Sequence, residues 1–271
     1  MSALRLSISG AGADLEDLLF DVLAGIPSSW TRAGDGLVVW VEESDADEAR
    51  RALLGSGLEF DASKEPERDW VAQAAALQRP VEVGRYLLDP HDGVGAADAG
   101  GRTRLFVPAT RAFGTGSHES TRLALRLLLE ERVAGRSVLD VGTGVGTLAL
   151  VASREGARRV VALDVDPDAA FAARDLARVN AAPGIAAFAG PLEALRPAAR
   201  FDVAVANLIH EELAPLLAML RGLLAPAGVI LTAGQLAARR GEWHGVLEAN
   251  GFSPDGETVE NDWIGTRARL R

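Results

Sequence analysis

The stretch "VLDVGTGVGTLAL", Val138–Leu150, decides how this chain is read. An apolar run is followed by glycines at 142, 144 and 146, and then by an apolar segment with helical spacing. Such a strand–turn–helix opens a βαβ unit, and its glycines let the backbone approach a ligand without Cβ clashes. A dinucleotide fingerprint G-x-G-x-x-G begun at Gly142 needs its last glycine where Thr147 stands. Asp140, two places before the first glycine, would repel a pyrophosphate resting on the turn. S-adenosylmethionine carries an ammonium and a sulfonium and no phosphate, so it suits this turn.

The next strand ends in "VALDVDP", which puts Asp164 22 residues after Gly142. An acid at that offset on a strand tip is placed to take both ribose hydroxyls. Asp166 reads as the cap of the helix that begins at Pro167, and Asn180 as a cap or turn at its end. In "FDVAVANLIHEEL" a fourth strand ends at Asn207, on the carboxyl edge where open α/β sheets bind ligands. Its amide carbonyl offers an acceptor for an N–H. The alternative is that Asn207 caps the helix that follows. His210 and Glu211 read as helix-start residues without a catalytic role.

Strand and helix signals alternate from about residue 106 to 271, and several strands are apolar throughout. This pattern predicts a doubly wound, mostly parallel sheet covered on both faces. "WIGTRARLR" closes it as an edge hairpin, with Trp263 as packing. Residues 1–62 predict a small α+β unit with a β-α-β-α order, as in a ferredoxin-like module. "DLEDLLFDVLAGI" sets Leu15, Leu18, Leu19 and Val22 on one helix face. Residues 63–105, rich in charge, Gly and Asp, read as a linker around one strand, "PVEVGRYLL".

The composition narrows the functions. Of 271 residues 48% are hydrophobic, enough for a substantial core. There is no cysteine, and the four histidines are scattered, so no metal site is expected. A net charge of −10 disfavours direct binding to nucleic acid. No run reaches the roughly 18 apolar residues of a membrane span, and no leader is read at the N-terminus. A cytoplasmic location is the expectation.

"AFGTGSHEST" (112–121), "VLDVGTGVGTLAL", "VVALDVDPDA" (160–169), "ARVN" (177–180) and "VANLIHEEL" (205–213) occur in this order. Together they resemble the bacterial methyltransferases that modify large-subunit ribosomal protein L-eleven. The resemblance covers about Val107 to Leu213 and extends more weakly to the C-terminus. It implies a seven-stranded class I methyltransferase domain behind a small ferredoxin-like substrate-recognition domain. It also implies transfer of methyl groups from S-adenosylmethionine to lysine side chains and the N-terminal amine of that ribosomal protein. Thr121, Gly142, Asp164 and Asn207 fall on the family's cofactor positions, with Asn207 also at the acceptor. Phe113, Gly114, Thr115 and Gly116 match the loop that closes over the cofactor, and Asp140 and Gly144 complete the expected site.

The family's loop usually reads A-F-G-T-G-T-H-P-T-T, so Ser117, Glu119 and Ser120 depart from it. Within the loop's helix start, Ser117 or Ser120 is the expected cap. A protein lysine methyltransferase with another substrate, or a small-molecule methyltransferase, stays open at this point.

Overall fold

The computed structural model describes residues 3–8, 15, 18–19, 22–23, 26, 28–33, 36–42, 45–64, 79–91, 100–108, 113–182, 184–196 and 198–271. The chain divides into two compact units, Met1–Gln73 and Ala74–Arg271.

The first unit is built on strands β1 (Ala3–Ile8), β2 (Ser28–Ala33), β3 (Gly36–Glu42) and β4 (Phe60–Lys64). They form an antiparallel sheet in the order β2-β3-β1-β4, with Leu6 opposite Val39 and Ala62. The alternation in β1 puts Leu4, Leu6 and Ile8 on one face, and all three are buried. Helix α1 (Ala46–Gly55) covers that core with Ala46, Ala49 and Leu53. It ends in a Schellman turn at Gly57: Leu58 N–H donates to Leu53 O and Gly57 N–H to Leu54 O. Between β1 and β2, Leu15, Leu18, Leu19 and Val22 are helical. Leu19 is buried as expected, but Leu18 is exposed, and Leu23 is the inward residue instead. The strands β2 and β4, absent from the β-α-β-α reading, are edge strands with polar sequences. An edge strand pairs on one side only and needs no apolar alternation.

Within the stretch expected as a linker, β5 (Val81–Val83), β6 (Tyr86–Asp89) and β7 (Thr103–Phe106) make a small sheet. These strands belong to the second unit. Tyr86 Oη donates to Glu155 Oε1 at 2.6 Å, and Phe106 N donates to Asn180 Oδ1 at 3.0 Å.

The large sheet of the second unit contains β8 (Ser137–Val141), β9 (Arg159–Asp164), β10 (Ile185–Ala189), β11 (Phe201–Asn207), β12 (Leu224–Leu236), β13 (Phe252–Glu260) and β14 (Trp263–Leu270). Its order is β10-β9-β8-β11-β12-β14-β13, parallel from β10 to β12, with β14 antiparallel to both its neighbours. This is the doubly wound sheet read from the alternating segments.

Helices α2 (Glu119–Glu131), α3 (Thr147–Arg154), α4 (Pro167–Val179), α5 (Leu217–Leu223) and α6 (Arg240–Ala249) cover the two faces. Both faces are apolar, so the strands are apolar at successive positions. Val203 and Val205 pack with Leu123 and Leu150 on one side. Ala204 and Ala206 pack with Leu213 and Trp243 on the other. The chain leaves β8 toward β9 on one side, while β11 lies on the other. The carboxyl ends of β8, β9 and β11 therefore open on one crevice at the switch point. Among the described residues no helix is long and apolar enough to cross a membrane.

Candidate active site

The two glycine loops touch. The carbonyl of Phe113 accepts the N–H of Val145 at 2.9 Å. A Cβ on Gly144 would stand 2.2 Å from that same carbonyl oxygen, and Gly144 has φ +54°. Only glycine permits this approach. The loop therefore rests on the turn after β8. Phe113 and His118 face the cavity beside it. Thr115 Oγ1 and Ser117 Oγ share a hydrogen bond at 3.2 Å, and Gly116 packs on Leu88. Gly114, Thr115 and Gly116 shape the loop without lining the cavity.

Asp164, at the tip of β9, accepts the N–H of Gly144 at 2.9 Å and of Asp166 at 3.0 Å. It pins the glycine turn and still faces the cavity. Asp166 caps α4 by accepting from Asp168 N at 2.9 Å. At the other end Asn180 is fully buried, binds the Phe106 backbone, and lies away from the cavity, in keeping with its expected capping place.

Asp140 does not line the cavity. It is fully buried under the turn, where Oδ2 accepts from Thr143 Oγ1 at 2.6 Å and Ala149 N at 3.0 Å. Its Oδ1 has no partner. Burial pushes its carboxyl up to about 7, against the pull of those two hydrogen bonds and helped by nearby Asp164.

Asn207 ends β11 at the cavity wall. Its Nδ2 donates to Thr121 Oγ1 at 3.1 Å, while its Oδ1 is buried and unpartnered. The helical turn that follows, His210–Leu213, has Ile209 as its cap residue and no side-chain cap bond. Asn207 is thus not a cap. Opposite it, Gly234 (φ +96°) lies where a Cβ would come within 2.6 Å of Leu208 O and 3.3 Å of Asn207 Oδ1. Gln235 Nε2 donates to Leu208 O at 2.7 Å, which fixes the same backbone. Thr121 is buried and reaches the cavity only through Asn207.

Among the cavity residues that the sequence did not assign to the site are His118, Ser120 and Trp263. The cap of α2 is His118, not Ser117 or Ser120: its Nδ1 accepts from Ser120 N at 3.2 Å. Ser120 Oγ lies 2.8 Å from the same nitrogen and also lines the cavity. The His118 ring sits 5.4 Å from Phe113 and 4.9 Å from Trp263. Trp263 thereby forms cavity wall rather than packing alone. Glu119 accepts from Asn261 Nδ2 at 3.1 Å, tying α2 to the β13–β14 turn just before Trp263. The departures at 119 and 120 each have a partner in this chain.

The cavity measures about 740 Å³. Among the described residues its charged lining is Asp164, Asp166, Glu193 and Glu212, with no Arg or Lys. This wall favours cations and disfavours phosphates. With the unpartnered acceptor on Asn207, it fits a ligand bearing an N–H donor and positive charge. S-adenosylmethionine meets that description. Among the described residues no cluster suited to a metal is present.

The family model "Ribosomal protein L11 methyltransferase (PrmA)" matches residues 38–271. A ribosomal protein L11 methyltransferase of Pseudomonas aeruginosa (strain LESB58) is 34% identical over 274 residues, covering 98% of this chain and 90% of that one. Another, of Pelotomaculum thermopropionicum, is 33% identical over 221 residues, covering 82% and 72%. The crystal structure of a ribosomal protein L11 methylase from Lactobacillus delbrueckii subsp. bulgaricus superposes with a TM-score of 0.61 at 26% identity. That superposition covers 70% of this chain and 98% of the other.

Proposed function

Because the chain belongs to the ribosomal protein L11 methyltransferase family, we propose that it methylates amines of ribosomal protein L11, with S-adenosylmethionine as donor. The amines are lysine side chains and the N-terminal amine. The observation that carries this reading is Asn207: Thr121 takes its N–H, and its carbonyl oxygen is left free at the cavity wall. A buried acceptor without a partner costs about 1–3 kcal/mol, which an incoming N–H recovers.

Asp164 faces the cavity from the tip of β9, which suits it to take the ribose hydroxyls, and Gly142 and Gly144 line the cavity along the turn. Phe113 bounds it from the loop. When bound, S-adenosylmethionine supplies a methyl group activated by its sulfonium. The protein's part is to bring in the amine, orient it and let its proton go. Carboxylates at the cavity draw in a cationic side chain. A free lysine is protonated almost wholly at neutral pH, with a pKa of about 10.4. In a desolvated cavity beside a second cation, the ammonium form is disfavoured. Asn207 Oδ1 then accepts an N–H and holds the nitrogen toward the methyl group. Orientation of this kind can supply several kcal/mol.

The N-terminal unit is assigned to substrate recognition. Asp47 and Glu48, from the acidic run "VEESDADE", stand exposed on the first turn of α1, suited to steering a basic protein. Glu16, Asp17 and Asp21 of the run "LEDLLFD" lie outside the described residues. A ribosomal substrate supports a cytoplasmic location for the activity. The test is to incubate the protein with labelled S-adenosylmethionine and purified ribosomal proteins and to locate the label by mass spectrometry. Label on L11 amines is expected; label only on other proteins refutes the substrate.

A further inference from the structure

Behind the Asn207–Leu208 backbone lies a second cavity of about 150 Å³. It shares Ile209, Gly234 and Trp263 with the large cavity, so the two meet at the acceptor end. Water needs only about 15 Å³ of such space per molecule, so several fit. Polar side chains that the methyl-transfer reading does not use line it, and two of them bear on a proton path. One is Gln235, which is 2% exposed. Its Nε2 is held by Leu208 O, and its Oε1 is buried without a partner. A buried amide oxygen of this kind calls for a donor, and water supplies one. The other is His210, whose side chain is 18% exposed.

Resting on the proposed amine methylation, we propose that this second cavity is the exit for the proton each transfer releases, carried over water past Gln235 to the imidazole of His210. At each round the ammonium gives one proton to water. The freed lone pair forms the new N–C bond, and the electrons of the broken S–C bond stay on sulfur. One proton remains to be removed, and the imidazole that the described residues place on the large cavity is that of His118. His118 is engaged at Nδ1 by Ser120.

His210 is placed to pass the proton on. Glu242 Oε1 lies 3.8 Å from its Nε2, and its ring meets the edge of Trp243 at 5.3 Å. Arg239 binds both Glu242 and Glu211, at 2.7 and 3.1 Å, so one guanidinium stands against two carboxylates around the imidazole. His210 is therefore a relay residue, acting through water rather than on the reacting atoms.

Single-turnover methyl transfer to purified L11 is to be measured from pH 6 to 9.5 for the full chain and for His210→Gln and His210→Ala. At pH 7 the variants should lose about tenfold in rate, a modest share of what proton transfer can contribute. The loss should shrink toward pH 9.5, where more acceptor arrives unprotonated, and added imidazole should restore His210→Ala. Cofactor affinity by calorimetry should stay within twofold. A pH profile parallel to that of the unaltered chain, or a uniform loss without imidazole rescue, overturns the relay. If the unaltered chain transfers no methyl to L11, the substrate reading fails first and takes this one with it.

Discussion

Asn207 and Thr121 are joined across 86 positions of sequence by one hydrogen bond, Nδ2 to Oγ1 at 3.1 Å. The bond fixes which end of the amide faces the cavity. It makes Thr121 a positioning residue whose effect passes through Asn207.

Replacing Thr121 by Val keeps the shape but strands a buried N–H, a cost of about 1–3 kcal/mol. The amide is then free to turn. We expect kcat to fall by roughly tenfold to a hundredfold, with cofactor affinity changed little. Thr121→Ser should restore most of the rate. Steady-state kinetics and calorimetry on both variants decide it, and an unaltered kcat in Thr121→Val would contradict the positioning role.

Asn207→Ala removes the acceptor itself. Turnover should fall far more than affinity for S-adenosylmethionine. If calorimetry instead finds affinity lost in step with rate, Asn207 is chiefly a cofactor ligand.

Asp164→Ala removes the carboxylate proposed to take the ribose, together with the clamp on Gly144 N. Binding of S-adenosylmethionine should become too weak to measure by calorimetry. Normal affinity would refute the ribose assignment.

Gly144→Ala forces a Cβ toward Phe113 O at a left-handed φ. The loop must leave the turn, at a cost of more than about 1 kcal/mol. Thermal unfolding should shift down by several degrees, and bound cofactor should recover less of it than in the unaltered chain. An unchanged Tm would mean that the loop does not bear on the turn in solution.

Asp140 sets a pH dependence. Its carboxyl lies near 7 in the folded chain, against an ordinary value of 3.8. A folded state that binds the proton more tightly gains stability at low pH, and loses that gain as pH rises from about 4 to about 7. The contribution amounts to at most about 4 kcal/mol and is gone above pH 7. Asp140→Asn should remove this slope. Urea unfolding without cofactor at pH 5 and pH 8 checks it: the unaltered chain should weaken relative to the variant at pH 8. Equal shifts in both would exclude an ionisable Asp140.

Local pattern revealed the large sheet because its strands, covered on both faces, are apolar without interruption, and its turns carry glycine. The tips of β9 and β11 followed, with Asp164 and Asn207 on the cavity. What escaped depends on pairing over long distances. Trp263 reaches the cavity because β14 inserts antiparallel between β12 and β13, which no short window encodes. His118 caps α2 through a ring nitrogen, where residue preference points to the neighbouring serines. Asp140 illustrates a third limit. Spacing places it at the end of β8, but the fold beyond β8 decides whether it meets a ligand or the underside of the turn.

The carboxylate wall bears on turnover as well as on entry. Transfer removes the sulfonium charge from the donor, while the acceptor nitrogen remains cationic after every round at neutral pH. In the proposed reaction Asp164, Asp166, Glu193 and Glu212 would hold the spent donor less firmly than the fresh one, and keep their hold on a half-finished substrate. The same four side chains would sort what should leave from what should stay.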